Sequence, residues 1–166
     1  TYFAPDTALP NPYAPGVEVL VFTGAMDYWP NVDAVSWFAR EVFPLLLVHY
    51  PDLEFFIVGS SPSAAVTQLG ALPGVPVTGR VDDVRPYLQH ALAAVAPMRI
   101  ARGVENKVLE AMAMEKPVLV SSKGLEGIDA EHKEHVLLTD GQGDYVECLQ
   151  QVKAGEFPQL GPRARE

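Results

Sequence analysis

The chain has 166 residues, 48% hydrophobic and 20% charged, with a formal net charge of -9. That length holds one domain or slightly more around a real core, and the acidity excludes a nucleic-acid binder, which needs clustered Lys and Arg. The single cysteine, Cys148, allows no internal disulfide or cysteine metal cluster, and no apolar run nears the ~20 residues of a membrane span.

Residues 1–16 carry Pro5, Pro10, Pro12 and Pro15 with little periodicity and read as a linker. They lack the basic start and apolar stretch of a signal peptide. The near-continuous apolar run from Val17 to Gly24 predicts a buried parallel strand. Asn31 or Asp33 is expected to cap a helix through Val35, Phe38, Ala39 and Val42 to about His49, kinked or split at Pro44. Leu53 to Gly59 is a second strand and Ser63 to Leu69 a short helix. Val75 to Gly79 is a weak strand, placed at an edge by Pro76. Val84 to His90 gives a helical turn or two, and Leu92 to Pro97 a third strand. A helix follows from about Gly103 to Met114. Then come strands at Val118 to Ser121 and His135 to Leu138, and a last helix from Gly143 to Val152 with Tyr145, Leu149 and Val152 on one side.

Strands alternate with helices throughout, which predicts a doubly wound α/β fold: a mostly parallel sheet, Rossmann-like, with helices on both faces. Ligands in such sheets sit beyond the C-terminal strand ends, where the strand order reverses. The loops to watch follow Gly24, Gly59, Gly79, Pro97 and Ser121.

The most informative segment runs from Gly103 to Ser121. On a helix, Gly103, Asn106, Lys107 and Glu110 share one stripe, beside the apolar Val104, Val108, Ala111 and Met112. A helix N-terminus carries about half a positive charge and unpaired amides. Gly103 lets a phosphate approach them, and Lys107 adds a full charge. Arg99 and Arg102 lie just upstream, so three cations fall within nine residues of an acidic chain. Glu110 is placed to accept bonds from vicinal hydroxyls. The plainer reading is an ordinary Lys107–Glu110 pair on a solvated face.

This segment resembles the donor-binding signature of the retaining glycosyltransferases of group 1, or family 4. The resemblance covers roughly residues 17–152. Gly24-Ala25-Met26 through Pro30-Asn31 looks like the family's first glycine turn, and Ile57-Val58-Gly59 like its second strand end. Gly79-Arg80-Val81-Asp82-Asp83-Val84, followed by Tyr87, looks like its nucleobase-reading loop. Ala96-Pro97-Met98-Arg99 leads into the donor helix, and Glu126-Gly127-Ile128 resembles the next loop. There are departures. The family often has a Glu eight residues before the one matched by Glu110, and here that position is Arg102. Ala25, Met26 and Pro30 occupy a region that usually holds Arg and Lys. Glu115-Lys116-Pro117-Val118 replaces a Gly-x-Pro-Val turn.

The resemblance implies the C-terminal half of a two-domain GT-B fold. Residues 1–16 would be the interdomain linker, 17–154 the nucleotide-sugar-binding domain, and 155–166 a tail returning to a missing N-terminal acceptor domain. It implies donor contacts from Gly24, Asn31, Gly79, Arg80, Val81, Arg99, Arg102, Gly103, Lys107 and Glu110. It also implies a nucleotide-diphosphate sugar as substrate, with no separate cofactor and no metal. Transfer would retain configuration and go to a saccharide or lipid-linked acceptor, in polysaccharide or glycan assembly. The expected place is the cytoplasm, peripheral at the inner membrane face through the missing domain. Catalytic residues, base, sugar and acceptor stay unassigned.

Rival readings are weaker. A nicotinamide dehydrogenase wants Gly-x-Gly-x-x-Gly after the first strand, where this chain has Gly24-Ala25-Met26-Asp27-Tyr28-Trp29. A sugar-nucleotide epimerase of the same fold, or a degenerate binding domain, stays open. His132 and His135 read as a loop rather than metal ligands, Cys148 as a core thiol, and Asp82-Asp83 as a helix cap rather than an acid/base pair. Trp37 reads as core and Trp29 as a ligand or domain contact. Gly59-Ser60-Ser61 reads equally as a turn or a phosphate holder.

Overall fold

The computed structural model describes residues 2–156. The tail expected at 155–166 lies almost wholly outside the described residues. Five strands, β1 (Val19–Thr23), β2 (Glu54–Val58), β3 (Ala93–Ala96), β4 (Val118–Val120) and β5 (Leu137–Leu138), form one parallel sheet in the order β2-β1-β3-β4-β5. The doubly wound α/β expectation is met. The order reverses between β1 and β3, because the chain steps from β1 out to β2 and then returns across it.

All five β1 residues are buried, so its two faces feed two cores. Leu20 and Phe22 join Phe38, Phe43, Phe55, Ile57, Leu119 and Tyr145 on one side of the sheet. Val19 and Val21 join Val58, Leu88, Val108, Met112 and Val120 on the other. Helices α1 (Trp29–Trp37), α2 (Phe43–His49) and α7 (Gln142–Lys153) serve the first core, and α4 (Arg85–Gln89) and α5 (Asn106–Ala113) the second. Two further short helices, α3 (Ala64–Leu69) and α6 (Ser122–Leu125), complete the set. Both are capped by a serine: Ser63 accepts from the Val66 amide and Ser121 from the Gly124 amide. The sequence reading left α6 as loop.

Two local outcomes differ from expectation, and the division at Pro44 meets it. The first helix starts at Trp29 with Tyr28 at the cap position, so neither Asn31 nor Asp33 caps it. Pro30 needs no amide in a first turn, which is where helices accept proline. The helix does divide at Pro44, which falls in the first turn of α2. A π-turn (Phe38–Val42) precedes it, with the Phe43 amide donating to the Phe38 carbonyl. The wider turn relieves the clash that proline's ring makes with the preceding turn of an α-helix. Finally, the weak strand at Val75 to Gly79 shrinks to a bridge between Val77 and Ile57 at the outer side of β2.

Helix α5 ends in a Schellman motif. The Glu115 amide donates to the Met112 carbonyl at 3.0 Å and the Lys116 amide to Ala111 at 3.1 Å. The motif needs a left-handed residue, and Glu115 supplies it at φ 61°.

Residues 2–16 form no helix or strand, yet they lie pinned along α4. The Asp6 amide donates to Gln89 Oε1 and Gln89 Nε2 donates back to the Asp6 carbonyl, both at 2.7 Å. His90 Nε2 lies 2.9 Å from the Leu9 carbonyl. Tyr13 is buried against Phe56 and Tyr87, and its hydroxyl donates to the Tyr87 carbonyl. Burial pushes that hydroxyl's pKa up.

Candidate functional site

The reversal in strand order opens a cleft of ≈ 540 Å³ beyond the C-terminal ends of β1 and β2. Three pieces of chain enclose it. The first wall is the pair of loops after β1 and β2. Gly24 sits at φ 150°, and a Cβ there would lie 2.7 Å from Asn31 Nδ2. Gly59 packs so closely on Gly24 that its Cβ would stand 1.6 Å from the Gly24 carbonyl oxygen. Asn31, 3% exposed, donates to the Ala25 carbonyl at 2.9 Å while its own Oδ1 is buried without a partner.

The floor is the start of α5. Lys107, Asn106 and Glu110 line the cleft, and so does Glu105 at the helix N-cap. Lys107 Nζ lies 3.0 Å from Glu105 Oε2, with the two side chains only 11% and 10% exposed. The same ammonium sits 5.2 Å from the Phe22 ring centre, so its alkyl stem runs over the end of β1. Burial raises the Glu110 pKa, an effect that Lys107 partly offsets. The solvated Lys107–Glu110 pair of the plainer reading does not form; Lys107 reaches back to Glu105 instead.

The second wall is the loop between Gly79 and α4, from which Arg80, Val81 and Val84 face the cleft. Asp83 points to the other side. It takes Arg85 in a two-pronged pair, Nε to Oδ1 at 3.0 Å and Nη2 to Oδ2 at 2.7 Å, and accepts the Arg85 amide at 2.9 Å. The cap expected from the Asp82-Asp83 pair does not form: Val84 holds the N-cap position of α4 without a side-chain cap bond, Asp83 instead takes the Arg85 amide in a tight turn just outside the helix, and the Arg85 bond holds its carboxyl below the usual range.

Of the expected donor-binding residues, the fold brings Gly24, Asn31, Arg80, Val81, Arg102, Lys107 and Glu110 to the cleft. It does not bring Gly79, Arg99 or Gly103 into the lining. Arg99 is drawn away by Asp33, at 2.6 Å, and lies over the Trp37 ring at 5.8 Å. Gly103, at φ 89°, stands in the loop before α5, so it is not on the helical stripe with Lys107 and Glu110. Gly79 provides the backbone turn behind the second wall at φ 71°.

The sequence reading missed Glu105, an acid immediately before the helical stripe that it took for part of the helix. It also favoured Trp29 as the exposed aromatic of this region, whereas Tyr28 lines the cleft. Trp37 packs edge-on to Tyr145, as a core residue should. Gly59 and Ser60 both line the cleft. His135 Nδ1 accepts the Glu131 amide and His132 Nδ1 the Leu138 amide. Cys148 is buried and its thiol is pushed up to about 11.

Comparison with known proteins bears on the family and the fold. The family model described as "Glycosyl transferases group 1" matches residues 17–153. An uncharacterized 44.6 kDa protein in the cps region of Klebsiella pneumoniae is 21% identical over 131 residues, covering 74% of this chain. The chain spans 34% of that relative's length. The crystal structure of TarM superposes with a TM-score of 0.71 at 17% identity, over 95% of this chain and 33% of TarM. Anabaena HepE, solved in complex with UDP and glucose, superposes with a TM-score of 0.66 at 15% identity, over 89% of this chain and 42% of HepE. These structures share the fold.

Proposed function

The chain belongs to the group 1 glycosyltransferases, and on that premise we propose that its cleft holds the nucleoside diphosphate of a sugar donor. One observation carries the reading. The N-terminus of α5, Lys107, Arg80 and Arg102 converge on a single cleft at the switch point of an otherwise acidic chain. A diphosphate there meets helix amides and cations together. Glu110, half-buried on the same helix, is placed for donor hydroxyls. The 79–84 loop stands where a base would lie, and HepE, solved with UDP and glucose, shares this fold.

In the whole protein the sugar would pass, with retained configuration, to a saccharide or lipid-linked acceptor carried by a preceding domain. Residues 155–166 would return the chain to that domain. The departing diphosphate would be stabilised by Lys107, Arg102 and the α5 amides, fixed in place before the bond breaks, without a metal. The cytoplasm, at the inner membrane face, is the proposed setting. Among the described residues no helix is long and apolar enough to cross a membrane.

The test is calorimetric titration of this chain with UDP, GDP and ADP in metal-free buffer, beside a Lys107→Ala, Glu110→Ala variant. Saturable binding of one nucleotide, lost in the variant, is the expected result. Equal binding by the variant would move the site elsewhere.

A further inference from the structure

The second wall of the cleft has little backbone support of its own. Among the described residues, Arg80 to Asp83 make no backbone–backbone hydrogen bond; the pattern stops at Thr78, bonded to Ile57, and resumes with Leu88 bonded to Val84. Gly79, at φ 71° with open space around it, leaves the loop a hinge at its near end. Val81 and Val84 pack against the second core, and from behind the loop is further held by side-chain contact with the N-terminal segment. Tyr2 donates its hydroxyl to Asp83 Oδ1 at 3.2 Å. The Arg85 guanidinium covers the Tyr2 ring at 4.2 Å and donates to the Tyr2 carbonyl at 3.3 Å. Asp83 and Arg85 are in turn locked to each other. One residue thus touches both partners of the pair that closes the loop.

We propose that residues 2–13 are a brace for the nucleotide cleft, and that Tyr2 is a positioning residue. Through Asp83 and Arg85 it fixes the pose of Arg80, Val81 and Val84. The inference rests on the cleft being a nucleotide site. A loop ordered before the ligand arrives loses less conformational freedom on binding, so bracing appears as affinity. The reciprocal Asp6–Gln89 bonds and buried Tyr13 anchor the segment further along α4, so removing the Tyr2 side chain frees the loop without releasing the whole segment.

Two measurements on Tyr2→Ala and Tyr2→Phe test this. In the ligand-free chain, backbone ¹⁵N order parameters at Val81 to Asp83 are expected to fall in Tyr2→Ala from about 0.85 toward about 0.6. Tyr2→Phe, which keeps the ring against Arg85, should retain most of the order. In calorimetry with whichever of UDP, GDP and ADP the wild type binds, Tyr2→Ala should weaken affinity about fivefold, the scale of the lost Arg85–ring contact, and Tyr2→Phe, which keeps that contact, should recover most of it. Unchanged order parameters overturn the brace. So does unchanged affinity beside a lowered Tm, because Tyr2 would then serve only stability. A wild type that binds none of the three refutes the nucleotide reading instead, and the order parameters alone then decide the brace.

Discussion

The two walls of the cleft are built on opposite principles. The wall of β1 and β2 loops is fixed by contact between backbones: Gly59 lies against the Gly24 carbonyl where no side chain fits. The 79–84 wall is fixed by side chains, with Asp83, Arg85 and Tyr2 interlocked behind it. A wall held by backbone contact has one pose and fails when an atom is added. A wall held by side chains tolerates substitution but adjusts by degrees. A cleft with one of each combines a fixed wall with an adaptable one.

The sharpest way to break the comparison is Gly59→Ala. A Cβ 1.6 Å from a carbonyl oxygen must push the two loops apart. The expected cost is about 3 kcal/mol, seen as a fall in Tm of roughly 6–12 °C; a variant that melts like the wild type would show that the first wall yields. Next comes the floor between the walls. Lys107→Ala alone strands the Glu105 carboxylate, so the informative variant is Lys107→Ala with Glu105→Gln. It should melt near the wild type and bind nucleotide about 10–100-fold more weakly, the weight of a charge-assisted bond. Undiminished calorimetric affinity would place the phosphate charge elsewhere.

Glu115→Gly touches neither wall. It relieves a left-handed glutamate at φ 61° and should stabilise the chain by about 1 kcal/mol. Thermal melts should rise with nucleotide affinity unmoved. The smallest effect concerns the side-chain wall. Arg85 holds the Asp83 carboxyl low, so the stability from that pair is complete above the ordinary carboxylate range. It is lost as pH falls through the lower folded value. The pair is open to solvent, which keeps its contribution small. Melting wild type and Asp83→Asn from about pH 5 to about pH 3 should show a small gap that closes in acid. A gap that widens would reverse the sign.

What was legible in the sequence follows the same division. The parallel strands could be read because each is a short, mostly apolar run, and the glycines at 24 and 59 end two of them. Lys107 and Glu110 could be read because helical spacing is local. Arg99 could not, because Asp33, the partner that takes it from the cleft, lies 66 residues away in the chain. Nor could the brace, whose bonds join residues 81 to 83 positions apart. The helix start at Trp29 was missed for a local reason: Pro30 marks a first turn, but two polar residues just beyond it looked like better caps. Glu105 was hidden because a helix begun at Gly103 puts it on a different face from Lys107.

The borders of the sheet carry one last consequence, for self-association. A strand edge with free amides and carbonyls is a template on which a second copy can add its own strand. On the β2 side that position is taken by the segment around Val77, where Pro76 has no amide to offer. On the far side, β5 is two residues long, too short a template to hold a visitor. Among the described residues, copies of this domain crowded together during synthesis therefore find no extended ladder to share.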